Sequence, residues 1–350
     1  VCLDEISFAR YHRLPIVPVM AISCTPPLGI YRLDWVDLQG WKEHRGRFQR
    51  ALHKLREALH LGPDQSVEGT HADLLGTLRP IDFGPDLARL QKGFTGRDRV
   101  VKAVEDWLGD PEGPPAFLLT GDPGAGKSAV MAHLTRRLES VAAIHFCRAD
   151  NSETVDPERF VRSMAAQLAT QLPNYAEALR GALAQPNALS KEPDALFKNL
   201  IVNPLNAAKT GSDTPLLLLV DGLDEALRRE TGTKIPALLG SFLGELQAMR
   251  RRVRLVLSSR EVPGVLRHFA GRAWRLQLGD EPAANEADLR AFLTSRLTRP
   301  PADQRLHKAE TSAEAVIEWL AGKAEGNFQY AEQALLGIEE GALDPSDPDA

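Results

Sequence analysis

The stretch "LLTGDPGAGKSAVMAHL", residues 118–134, decides how the rest of the chain is read. Gly121-Asp122-Pro123-Gly124-Ala125-Gly126-Lys127-Ser128 satisfies the pattern G-x-x-x-x-G-K-[ST]. Glycines in such a loop let the backbone wrap so that successive N–H groups face phosphate oxygens. Lys127 offers a point charge to the β- and γ-phosphates, and the Ser128 hydroxyl is placed to ligate Mg²⁺. The loop follows an apolar run, "AFLLT" (116–120), and opens "SAVMAHLTRRL", a helical segment whose dipole adds to an anion site. That context separates it from a glycine turn that merely precedes a helix.

Outward from the loop, residues 93 to about 270 alternate between short apolar runs and longer amphipathic segments. The strand candidates are 116–120, "AAIHFC" (142–147), "LLLLVD" (216–221) and "RLVLSS" (254–259). Continuous apolar runs of this length suit strands covered on both faces. Between them lie helical patterns such as "DRVVKAVEDWL", in which Val100, Val101, Val104, Trp107 and Leu108 share one face. The alternation predicts an α/β fold: a parallel sheet flanked by helices. After 280 the pattern is helical until "DPSDPDA" breaks off in turn formers. Residues 1–60 hold a helix-like stretch, the short strand candidate "LPIVPVM" and an amphipathic helix around Phe48, Leu52, Leu55 and Leu59. Several Gly and Pro with weak periodicity make 61–92 a linker.

Two further elements complete the expected site. "PLLLLVDGLDEA" ends its strand in Asp221, at the sheet edge where ligands bind in open α/β folds, so Asp221 is assigned to Mg²⁺. Asp224 and Glu225 follow at once, and a carboxylate here can orient or deprotonate an attacking water. "RLVLSSR" ends in Ser258, Ser259 and Arg260, a cation able to sense or stabilise a γ-phosphate.

The bulk numbers exclude more than they assign. At 350 residues, with 43% apolar and 25% charged, the chain has room for two or three soluble domains. A net charge of −5 gives no global argument for nucleic acid, and the basic run "RRRVR" (250–254) reads as a helix end leading into a strand. Cys2, Cys24 and Cys147 stand apart, which favours a reducing compartment. The apolar run "LLLLV" is far too short for a bilayer and no signal peptide is visible, so a cytoplasmic location without a membrane partner is expected. His133 and His145 lack a neighbouring ligand and read as structural. The start at Val1 rather than Met points to a piece of something longer.

The three motifs, with "DGLDE" in this form, resemble the NACHT-like branch of the STAND class of signalling NTPases. "GFTGRDRVVKAVEDWL" is similar to that family's opening segment, which implies that Gly96 and Arg97 lie beside the nucleotide. "DLRAFLTSRL" resembles the start of its helical lid, and "AEGNFQYAEQAL" the lid motif on the adenine side, with Phe328 where a proline is usual. The resemblance implies an ATP/ADP switch with Mg²⁺, a core over 93–270 and a lid over 271–350, and Arg260's strand between those of Lys127 and Asp221. It also implies slow hydrolysis, self-association on activation, and a trigger sensed by a domain after the lid. Residues 1–60 resemble the C-terminal half of a TIR domain, a flavodoxin-like segment in which Glu5 matches the catalytic position of NAD⁺-cleaving members. With the first half of that domain absent, NAD⁺ cleavage is not expected of this chain. Antiphage or immune signalling is the setting such a fusion implies. The competing readings are a multiple-turnover AAA-like ATPase acting on nucleic acid, disfavoured by the missing basic module, and a nucleotide-bound scaffold without hydrolysis.

Overall fold

The computed structural model describes residues 74–208, 215–228, 232–249 and 253–346, together with the pairs 19–20 and 36–37. The chain divides into two compact units, Val1–Ala72 and Asp73–Ala350. In the first, β1 (Val19–Met20) and β2 (Val36–Asp37) pair in parallel. Glu5 and most of the TIR-like stretch lie outside the described residues.

The second unit is built on a five-stranded parallel sheet. Its strands are β3 (Ala116–Thr120), β4 (Val141–Phe146), β5 (Leu216–Asp221), β6 (Val253–Ser259) and β7 (Ala273–Gln277), in the order β4-β5-β6-β3-β7. The first four agree with the apolar runs read from the sequence. Arg260's strand does sit between those of Lys127 and Asp221, as the resemblance implied.

The sheet is covered on both faces because its central strands are apolar at most positions, and alternate side chains enter opposite cores. Leu218, Val220, Leu255 and Leu257 enter one core with α4 (Pro157–Gln171), α5 (Pro173–Leu183) and α6 (Ile235–Ala248). Phe117, Leu119, Leu217 and Leu219 enter the other with α2 (Asp98–Gly109) and α3 (Lys127–Arg137). On that second face β6 carries Arg254, 1% exposed, whose guanidinium donates to the carbonyls of Trp107 (2.5 Å) and Asp110 at the C-terminus of α2. The last residue of the basic run is therefore a buried helix cap. A third core joins α7 (Pro282–Leu297), α8 (Ala302–Lys308), α9 (Ala313–Ala324) and α10 (Phe328–Glu340). Ser312 and Asn327 cap the last two, accepting from the amides of Ala315 and Tyr330.

Two sequence expectations need correction. Within the presumed linker, residues 74–78 are helical and Leu74, Leu78 and Phe83 are buried in the cores. The adjoining helix α1 (Gly84–Gln91) buries none of its own residues fully, so it left no periodic signal. Within the presumed lid, 273–277 is a strand of the sheet, paired with β3 from Ala116↔Ala273 to Thr120↔Gln277. As an edge strand it keeps Trp274 half exposed, so its sequence lacks the apolar run of the central strands.

Candidate functional site

Because β5, β6 and β3 are neighbours running the same way, their C-terminal ends bring Asp221, Ser258, Arg260 and the 121–126 loop to one sheet edge. The loop joins β3 to α3. Gly124 and Gly126 have φ of +79° and +88°, which L side chains rarely adopt, and Gly126 is the N-cap of α3. The Lys127 Nζ donates to the carbonyls of Gly121 (2.7 Å) and Asp122 (2.9 Å), curling over the loop. Burial pushes its pKa below the usual lysine value, with Asp224 and Asp221 opposing the shift.

Asp221 is buried, and both of its oxygens are engaged. Ser128 Oγ donates to one at 2.7 Å and Ser258 Oγ to the other at 2.5 Å. Ser258 in turn accepts from the Gly222 amide at 3.0 Å, so the hydroxyl links the two strand ends. Burial raises the Asp221 pKa against the hydrogen bonds from the two serines and the charge of Lys127. A divalent cation beside Ser128 and Asp221 would favour the ionised carboxylate. This oxygen pair suits Mg²⁺, which takes few protein ligands and leaves the rest to phosphate and water. Among the described residues no cluster of three or more His, Cys, Asp or Glu forms an all-protein metal cage.

Asp224 and Glu225 divide their work. Asp224 accepts from the Arg260 amide (2.9 Å) and from Arg260 Nε (2.5 Å), so Arg260 holds both oxygens. Burial alone would raise the Asp224 pKa, but the hydrogen bonds and charge of Arg260 outweigh it and keep the group below the usual carboxylate range. Glu225 accepts from Arg260 Nη2 at 3.3 Å and from the Ala149 amide at 3.2 Å, and its side chain stays 31% exposed. Of the two carboxylates, Glu225 is the one open to a water.

The cleft has two lobes. A polar lobe of 770 Å³ holds Asp221, Asp224, Glu225 and Arg260. A second lobe of 390 Å³ sets Leu90, Phe94, Phe292 and Phe328 beside Thr95, Arg97, Glu332 and Gln333. Gly124, Lys127 and Ser128 line both, so the loop stands at their junction. A polar lobe beside one that carries aromatic faces has the chemistry a nucleotide requires.

Arg97 reaches the loop and lines the second lobe, and Gly96 lies against Asp288. Arg97, in the left-handed region at φ +66°, has its amide on Asp288 Oδ1 (3.0 Å) of α7. Its buried guanidinium donates to the Ala125 carbonyl (2.9 Å) and stacks on the Phe328 ring, 4.4 Å from the centroid. A Cβ on Gly96 would meet Asp288 Oδ1 at 2.7 Å. The start of α10 and its cap touch the loop directly as well. The Gln329 amide donates to the Gly124 carbonyl (3.2 Å), and Asn327 Nδ2 to the Pro123 carbonyl (3.4 Å). Sequence reasoning missed Ser258 as the link between strands and Gln329 as a lid contact. Only the first, a polar residue inside an apolar strand, left a signal.

The two histidines are structural in their surroundings. His133 stacks on Phe94 at 4.3 Å. His145 Nε2 lies 2.7 Å from the Thr154 carbonyl, and burial pushes its pKa down to about 4. Cys147 is a buried free thiol. Among the described residues no helix is long and apolar enough to cross a membrane.

Residues 100–260 match the family model described as nephrocystin 3, N-terminal. The matched stretch contains the loop, Asp221, Asp224, Glu225 and Arg260, and leaves out Gly96, Arg97 and the helices from α7 onward. Among solved structures, a chain from the structure of Drosophila ORC bound to DNA is similar with 16% identity and a TM-score of 0.37. That alignment covers 74% of this chain and 60% of the other. The order of the parallel strands, the loop between β3 and α3 and the acidic end of β5 make this a P-loop NTPase-like fold.

Proposed function

We propose that this chain is an ATP/ADP-binding switch that hydrolyses slowly and, on exchange, self-associates to activate an attached effector. The supporting observation is the seam between loop and lid. Gln329 and Asn327 donate to the outer carbonyls of the loop, and Arg97 ties the loop to Phe328. A lid resting on the phosphate loop itself is placed to respond to what the loop holds, which is what a two-state switch requires.

In this reading Lys127 and the loop amides bind the phosphates, and the second lobe, with its aromatic faces, takes the adenine. Ser128 and Asp221 would hold Mg²⁺, which when bound offsets phosphate charge. Glu225 orients water. Arg260, held by Asp224 and Glu225, is drawn toward a γ-phosphate that competes for its charge. The effector is the TIR-like segment, with Glu5 as its candidate residue for NAD⁺ cleavage. The motifs of the sequence carry this part, which sets the protein in immune or antiphage signalling in the cytoplasm without a nucleic-acid or membrane partner.

The test is to denature the purified chain and identify the nucleotide it releases, with Lys127→Ala as control. Retained ADP, absent from the variant, supports the switch. An empty site with fast steady-state ATP turnover would move the assignment to a conventional ATPase.

A further inference from the structure

The cleft has a second cation at the junction of its lobes, and it comes from outside the motifs. Six residues line both lobes, and of these only Lys127 and Arg89 are cationic. Arg89 belongs to the last turn of α1, in the stretch whose sequence read as linker.

Helix α1 is held against the site at both ends. Asp86 pairs with Arg148, which lines the polar lobe. Gln91 Nε2 donates to the Ala132 carbonyl (2.8 Å) and Thr135 Oγ1 (3.0 Å) of α3, the helix that the phosphate loop opens. Positions 86, 89 and 90 fall on one helical face, so the contacts of Asp86 turn Arg89 and Leu90 toward the cleft.

Three other arginines near the loop are committed, while Arg228 lines the polar lobe only. Arg260 lies on Asp224 and Glu225, Arg148 on Asp86, and Arg97 on the Ala125 carbonyl. Among the described residues the Arg89 guanidinium has no ion-pair or hydrogen-bond partner, although the helix carrying it is anchored. A planar cation on a long stem, beside a phosphate loop and without an internal anion, has the chemistry to take a phosphate oxygen pair bidentately.

We propose that Arg89 is a phosphate-binding residue, which reaches the di- or triphosphate at the junction of the lobes and so makes α1 part of the nucleotide site. This rests on the nucleotide reading above. It adds that α1, near the start of the second unit, contacts the ligand directly.

The experiment is calorimetric titration of ADP and ATP into the nucleotide-stripped chain and into Arg89→Gln, Arg89→Lys and Lys127→Ala, at low and moderate salt. Arg89 is exposed, so its removal spares the cores. Loss of one charge-assisted contact at an exposed position predicts about tenfold weaker binding of both nucleotides in Arg89→Gln. The deficit shrinks as salt rises, and Arg89→Lys recovers part of it. Affinities for Arg89→Gln within about twofold of the parent, while Lys127→Ala loses binding, would overturn the role of Arg89 and leave the nucleotide site standing. A parent chain that binds neither nucleotide would overturn both.

Discussion

The contact between Asp224 and Arg260 allows a quantitative test of how the site is held together. Replacing Asp224 by Ala removes the acceptor of the Arg260 amide at 2.9 Å and of its Nε at 2.5 Å. The Asp224 side chain is 6% exposed and that of Arg260 is 37% exposed. An exposed ion pair is worth about 1 kcal/mol or less, whereas breaking a buried one costs about 3–5 kcal/mol. With one partner buried and the other more than a third exposed, screening discounts the side-chain coupling to about 2 kcal/mol. The orphaned amide adds about 1 kcal/mol, so Asp224→Ala should cost about 3 kcal/mol in all. In a unit of this size that lowers Tm by about 6–12 °C. The assay is a double-mutant cycle: urea unfolding of the parent, Asp224→Ala, Arg260→Ala and the double variant in nucleotide-free buffer. Because Asp224 titrates below the ordinary carboxylate value, its contribution is full above about pH 4 and is lost as pH falls through its lowered folded value. A coupling under about 0.5 kcal/mol near neutral pH would refute the picture of a held arginine.

Two further outcomes are expected. His145 is neutral when folded, its pKa pushed down to about 4, so an unfolded chain takes up the proton first as pH falls below about 6.5. Stability therefore drops between about pH 6.5 and 4, by about 2 kcal/mol from pH 7 to 5, and His145→Gln should lose that share of the pH dependence in urea unfolding. An unchanged dependence would place the titration elsewhere. Asn327→Ala removes the cap of α10 and the contact to the Pro123 carbonyl. The cap alone is worth about 1 kcal/mol, which predicts about fivefold faster amide exchange over 328–340 with β3 and β5 unaffected. Equal exchange in both proteins would show that the lid is held by other contacts.

How much of this the sequence displays follows from where each residue sits. Leu217–Val220 could be read as a strand because both faces of β5 are buried, which leaves an unbroken apolar run. Trp274 and Arg275 could not, since an edge strand half open to solvent has no such run. Arg254 carries the charge of a surface residue and sits in the core because α2 ends above it, a fact of packing alone. At the site, Lys127, Ser128 and Asp221 declare themselves through local pattern and the ends of strands. Arg89 and Gln329 do not. The first stands on a helix with no buried stripe, and the second reaches Gly124 through a backbone amide that any residue there would supply.

The carbonyls of Pro123, Gly124 and Ala125 accept from Asn327, Gln329 and Arg97 in turn. Each carbonyl shares a rigid trans amide plane with the N–H of the next residue, and the two point in opposite directions. When lid or Arg97 fixes the carbonyls of Pro123 and Ala125, it also sets the direction of the Gly124 and Gly126 amides on the reverse side. A phosphate that turns those amides toward itself must rotate the same planes and drag the outer hydrogen bonds with them. Inner and outer faces of the loop thus move as one lever, a single peptide thick.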